Sequence, residues 1–248
     1  MKDIDGKMAF SVVLITVAII AFLYAAVGHG GASGYLALMV LLGYGVAFIK
    51  PTALLLNMVV SAISFLHFYR SGFFRKELFF PFIILSVPMA YLGAKWPVSD
   101  FLFKFLLAFC LLLSVARLLF FREADFSSEK KKMPFGAALV IGAVIGLISG
   151  MIGIGGGVLL SPVLLLFHWA DLKESAAVAA LFILVNSVSG MAGLYTSDIS
   201  FSPNMLVMVA AAVVGGLAGG YTGVRGNTLV LKYILSAVMV IAVVKLLL

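Results

Sequence analysis

Apolar residues run through this chain in long blocks separated by short polar interruptions. The blocks fall at 8–27, 30–43, 51–69, 78–94 and 99–120, and again at 135–152, 156–168, 174–195, 204–222 and 228–247. Most approach the roughly 20 apolar residues a helix needs to cross the hydrocarbon of a bilayer. Two, 30–43 and 156–168, are shorter and each follows a glycine cluster. Each forms either a re-entrant pair or a full hairpin with the block before it, and the short length favours partial penetration. The pattern predicts an all-α integral membrane protein. The first block is expected to be a membrane helix and not a cleaved signal, because Asp3 and Asp5 offset Lys2 and Lys7 ahead of it.

The two sets of blocks share landmarks. Gly28-His29-Gly30-Gly31 matches Gly153-Ile154-Gly155-Gly156 at an offset of 125, and Asn57 matches Asn186 at 129. Lys104-Phe105 matches Lys232-Tyr233, and Arg117 matches Lys245, both at 128. Self-similarity in this order reads as an internal repeat. Each copy is expected to hold a broken or re-entrant helix pair at a Gly-rich break, followed by three transmembrane helices. The copies are then 1–120 and 135–248. Between them, 121–134 carries Glu129-Lys130-Lys131-Lys132 and is the most polar stretch of the chain.

Charge orients the copies. Basic residues concentrate at 70–76 (Arg70, Arg75, Lys76) and at 117–132, and two helices separate these regions, so both can be cytoplasmic. The loop Thr196 to Pro203, which corresponds to 70–76, has no basic residue and only Asp198, so it is expected outside. Equivalent loops on opposite sides make the repeat inverted. The scheme puts both termini outside and 11 of the 17 basic residues inside, a moderate bias. Tyr44, Trp96, Trp169, Tyr195 and Tyr221 fall near predicted helix ends, where aromatic rings anchor at the interface or pack in the core.

Composition agrees. Hydrophobic residues make up 64% of the 248 and charged residues 11%, against about 25% charged in soluble domains. The net charge of +7 lies in loops and at helix ends without a basic stripe, so it reads as topology and no nucleic-acid partner is expected. The single cysteine, Cys110, sits in an apolar block as a small buried residue.

The glycine clusters are the strongest local signal for chemistry. Gly28, Gly30, Gly31 and Gly153, Gly155, Gly156, Gly157 let a helix break inside the membrane, where irregular backbone survives only if it is buried or lines a cavity. A helix restarting there presents free N–H groups and a positive dipole end, which suits an anion. Close helix packing is the competing reading of the same glycines. Neither cluster completes a dinucleotide loop or a P-loop, so nucleotide-driven chemistry is not expected. Asn57 and Asn186 lie within apolar helices, with Ser61, Ser64, Ser187 and Ser189 nearby, and polar groups there either face a solute or bond neighbouring helices.

His29 sits in the first cluster, where a titrating imidazole could couple protons, but its match is Ile154. His67 and His168 are expected near helix ends, and the three histidines have no metal-ligand spacing. Hydrolase motifs are lacking and no membrane-embedded carboxylate is evident, so neither an enzyme, a cofactor nor a cation pump is expected. Pro88 and its match near Gly215-Gly216 are candidate hinges.

These residues resemble the TauE/SafE family, the sulfite-exporter-type anion permeases. The resemblance covers nearly the whole chain. It rests on Gly28-His29-Gly30-Gly31, on Gly150-Met151-Ile152-Gly153-Ile154-Gly155-Gly156-Gly157 with Ser161-Pro162, and on the later asparagine helices and the run Gly215 to Gly223. The first motif departs in carrying His29 and Ala32. The resemblance implies a multi-pass cytoplasmic-membrane carrier for sulfur-containing anions such as sulfite or organosulfonates. The anion is expected between the glycine-led helix ends, with Ser33, Asn57 and Asn186 in contact. Rocking of one repeat against the other would expose it to alternate sides. Carriers of this size commonly pair, so a homodimer is also expected. The rival from another class is a non-transporting scaffold subunit of a larger membrane complex.

Overall fold

The structure, a computed structural model, describes residues 2–120, 130–194 and 203–225, together with 233, 236–237, 239–240 and 243–244; for 2–9 and 117–120 it describes the backbone alone. The landmarks Lys232 and Lys245, the side chain of Arg117, Tyr195, most of the loop from Thr196 and much of the block 228–247 lie outside the described residues.

Nine helices are described: α1 (Lys2–Ala26), α2 (Ala32–Leu41), α3 (Val46–Arg70), α4 (Lys76–Lys95), α5 (Asp100–Phe120), α6 (Phe135–Ile152), α7 (Gly157–Leu166), α8 (Leu172–Leu194) and α9 (Pro203–Arg225). Among the described residues there is no strand. Helices α3, α4, α6, α8 and α9 are each long and apolar enough to cross a membrane. Their outer faces carry large apolar side chains, with Val140, Leu206 and Val214 all more than 60% exposed. Such a surface would be untenable in water and is ordinary in lipid. Helices α2 and α7 have 10 residues each. At 1.5 Å per residue they reach about 15 Å, half the hydrocarbon depth.

Packing repeats as the sequence does. α1 runs along α9, and its match α6 runs along α4; α3 and its match α8 lie against each other at the centre. Each half therefore sends its leading helix into the other half. Both outer seams are glycine ladders. On α6, a Cβ added at Gly142, Gly146 or Gly150 would stand 2.1–2.3 Å from the carbonyl oxygens of Phe82, Ser86 and Ala90 on α4. On α9, Gly215, Gly219 and Gly223 meet Ala18, Phe22 and Ala26 of α1 at 2.0–2.1 Å. Backbones this close exclude any side chain, which is how small residues bind helices in lipid. Both ladders come from the second half. Gly215 is therefore a packing residue, and Pro88 lies within an uninterrupted α4.

One end of the molecule is charged. Asp171 and Glu174 form a reciprocal capping box at the start of α8: Asp171 Oδ1 accepts from the Glu174 N–H at 2.8 Å, and Glu174 Oε2 accepts from the Asp171 N–H at 3.1 Å. Glu174 also binds Arg75 at 3.1 Å and Lys130 at 2.8 Å. This joins the two basic regions at one end. It also places the end of α3 beside the start of α8, so these matched helices run in opposite directions.

Cys110 is buried in the core, as the sequence implies. Trp169 is core and not anchor: it is buried, with its ring 6.2 Å from Phe82 and 4.9 Å from Phe167. Trp96, Tyr44 and Tyr221 are exposed near helix ends.

Candidate functional site

The two breaks are built alike. Gly28 (φ 79°), two residues past the end of α1, and Gly153 (φ 83°), the C-cap of α6, are both left-handed, a conformation glycine adopts without penalty. The short helices restart from left-handed glycines too, α2 from Gly31 (φ 93°) and α7 from Gly156 (φ 78°). Neither start has a side-chain cap at its N-cap residue. The breaks are wholly buried.

Asn57, on α3, ties them together. Its Oδ1 accepts from the N–H of Ala32, the first residue of α2, at 3.1 Å. Its Nδ2 donates to the carbonyl of Ile154 in the second break at 3.0 Å and to Ser187 Oγ on α8 at 3.2 Å. One amide thus spends donor and acceptor on both breaks. Gly30 and Gly155 leave room for it: a Cβ at Gly30 would stand 2.0 Å from Asn57 Oδ1, and one at Gly155 2.5 Å from its Nδ2.

Asn186 does not do the same. Its Nδ2 donates to Phe182 of its own helix at 2.9 Å, and its Oδ1 accepts from Ser86 Oγ on α4 at 2.6 Å. The spatial counterpart of Asn57 is Ile183, whose Cγ2 faces the Cβ positions of both Gly30 and Gly155. The same shift of 126 relates the backbone of Lys50, against Gly153, to that of Ala176, against Gly28. Central contacts therefore follow 126 and not the 129 that aligns the asparagines. On this register Ser61 matches Ser187, one bonded to the Met58 carbonyl and the other to Asn57. Ser64 bonds the carbonyl of Ala25 at the end of α1, and Ser189 that of Val87 on α4, so both join helices.

The first break carries the more polar neighbourhood. Buried His29 places Nδ1 3.0 Å from the Val27 carbonyl and Nε2 3.3 Å from Ser161 Oγ on α7, a side-chain link between the halves. Ser33 Oγ lies 2.7 Å from the hydroxyl of Tyr24. The hydroxyl of Tyr35, on α2, is buried without a hydrogen-bond partner and folds back beside Gly31. An unmet buried hydroxyl costs about 1–3 kcal/mol, so a donor held there is a point where a ligand gains.

Tyr24, Tyr35 and Lys50 are not singled out from the sequence, and Ser161 only as part of a motif. The tyrosines sat inside apolar blocks as core. Lys50 immediately precedes the apolar block 51–69, yet α3 starts at Val46 and Lys50 is 7% exposed. Its signal was a lone lysine beside Pro51 at the head of an apolar block. His67, near the end of α3, bonds the Ile63 carbonyl, and His168 follows α7 with φ 56°. Among the described residues no group of three His, Cys, Asp or Glu side chains could hold a metal ion.

Comparison with known proteins gives two findings. The family model described as sulfite exporter TauE/SafE matches residues 13–246. The chain is also similar to probable membrane transporter protein y4hK of Sinorhizobium fredii, 38% identical over 236 residues that make up 92% of this chain and 94% of that protein. No solved structure matches.

Proposed function

We propose that this chain, which belongs to the sulfite exporter TauE/SafE family, carries small sulfur-containing anions such as sulfite or organosulfonates through the buried region where its two glycine breaks meet. Membrane transport follows from the family itself, which is one of transporters and not of enzymes. The observation that carries the finer reading is the amide of Asn57, bonded to the start of α2 and to the carbonyl two residues before Gly156. It brings two buried helix starts to one place. Each start contributes roughly half a positive charge, and their partial charges sum toward a preference for an anion.

In this reading, Gly28, Gly30, Gly31, Gly153, Gly155, Gly156 and Gly157 shape the cradle. Ser33, Tyr35 and Ser187 offer hydrogen bonds to oxyanion oxygens. Asn57, with its amide already committed, holds the two breaks together around them, and His29 lines the first break. Asn186, Ser61 and Ser189 act from behind, through helix contacts. The opposed directions of α3 and α8 favour an inverted repeat, with the polar stretch 121–134 on the cytoplasmic side of the cell membrane; its Lys130 shares Glu174 with Arg75. The moving bodies are not the two sequence halves. The ladders lock α1 to α9 and α4 to α6, so rocking takes place between these pairs around the α3–α8 centre.

Thermal stability of the purified protein, measured against sulfite, thiosulfate, methanesulfonate, acetate, sulfate and metal cations at matched ionic strength, tests the substrate class. A ligand at 100 times its dissociation constant stabilises by about 2.7 kcal/mol. A shift confined to sulfur oxyanions is expected. A shift from carboxylates or cations alone would exclude this class.

A further inference from the structure

Lys50 is a buried cation that the fold leaves unpaired. It is the one lysine or arginine in the buried class among the described residues. Every described ion pair belongs to Arg75 or Lys130 at the opposite end of α3, and the Lys50 side chain makes no hydrogen bond or ion pair with a described residue. The ammonium itself is not sealed off, since the Tyr35 hydroxyl is the one sealed side-chain polar atom without a partner among the described residues. On a largely buried residue it is partly desolvated and open to an anion.

Its place indicates the role. The carbonyl and Cα of Lys50 stand 3.6–3.7 Å from the Cβ position of Gly153, and Leu54, one turn on, faces the same glycine at 3.7 Å. Asn57 follows at the next turn on that face and holds Ile154. Residues at i, i+4 and i+7 share one face of a helix. Lys50, Leu54 and Asn57 therefore form a row along the second break. At 1.5 Å per residue Lys50 lies about 10 Å from Asn57. Helical side chains lean toward the N-terminus, so its amine points toward the start of α3, away from the Arg75–Glu174 end. The counterpart in the other half is Ala176, so at this position of the repeat one half carries a lysine and the other does not.

We infer that Lys50 is the charged group of the site: its ammonium binds the oxyanion at the mouth beside the second break and hands it toward Asn57. This rests on the anion-carrier reading and adds the residue that supplies full charge, which helix ends alone do not.

The test is uptake of radiolabelled sulfite into vesicles by wild type, Lys50→Gln and Lys50→Arg, with folding checked by gel filtration. Losing a charge-assisted bond of about 1.5–3 kcal/mol raises KM by roughly ten- to a hundredfold. Lys50→Gln should show that rise, and Lys50→Arg should stay within a few-fold of wild type. Because Lys50→Gln could misfold, Lys50→Cys in a Cys110→Ala background provides a second arm. Aminoethyl methanethiosulfonate, which restores a cation, should recover uptake, whereas the neutral methyl reagent should not. Vesicles of phosphatidylcholine alone, and with phosphatidylglycerol, separate a solute role from a lipid-headgroup contact. The KM rise should be equal in both, and a defect seen only with the anionic lipid would overturn the assignment. Wild-type uptake with an unchanged KM in Lys50→Gln would overturn Lys50 alone. No sulfite uptake by wild type would overturn the sulfite-carrier reading and Lys50 with it.

Discussion

Asn57 and Asn186 looked equivalent in the sequence and are not, and the difference fixes what each substitution should cost. Asn57→Ala removes partners from the Ala32 N–H and the Ile154 carbonyl, both deep in the protein. Two unmet buried groups cost on the order of 2–6 kcal/mol together. Asn186→Ala strands mainly the Ser86 hydroxyl, which can rotate to another acceptor. Melting of the purified variants should therefore fall much further for Asn57→Ala than for Asn186→Ala; equal losses would remove Asn57 from the centre of the site. The residue types were legible in the sequence, because an amide in an apolar helix needs a partner. The register was not, since an offset of 126 differs from 129 only once Gly28 and Gly153 are seen against Ala176 and Lys50. Tyr35 and Lys50 were hidden because an apolar block does not say which side chains meet a partner.

Among the elements, the broken pairs were the most legible, since a glycine cluster between a long and a short apolar block leaves few other structures available in a membrane. The seams were less so. Gly142, Gly146 and Gly150, like Gly215, Gly219 and Gly223, recur every four residues, but spacing alone does not name the helix each stripe meets. That depends on the interlocking of the halves, a long-range choice. The structure makes the stripes selective. Gly215→Ala would drive a Cβ to 2.0 Å from the Ala18 carbonyl, while its neighbour Gly216→Ala would meet side chains at 3.5 Å or more. Overpacking costs about 1–3 kcal/mol, so Gly215→Ala and Gly146→Ala should lower the melting temperature. Gly216→Ala, in ordinary contact, should not. Similar losses at Gly215 and Gly216 would mean that the α1–α9 seam is placed wrongly.

Over the whole molecule, charge marks the ends and the breaks mark the middle. The cluster of Arg75, Lys130, Asp171 and Glu174 draws the basic regions to one end, as their composition suggests, and the capping box that organises it is legible as Asp171-Leu172-Lys173-Glu174. Burial alone would lower the Lys130 amine, but its bonds to Glu174 and Asp171 outweigh this and hold it above its ordinary 10.5. A group raised on folding stabilises fully below its unfolded value and loses that contribution as pH rises through the folded one. The melting difference between wild type and Lys130→Gln should thus be constant through neutral pH and shrink above about pH 10.5; a difference that shrinks near neutrality would place the effect on another group. The central claim is that anions cross at the meeting of the breaks, and flux tests it most directly. Purified protein in sealed vesicles should take up radiolabelled sulfite, unlabelled methanesulfonate or thiosulfate should compete while acetate does not, and Asn57→Ala should abolish the uptake. Sulfite uptake no faster than in empty vesicles, or uptake undiminished in a folded Asn57→Ala variant, would contradict it.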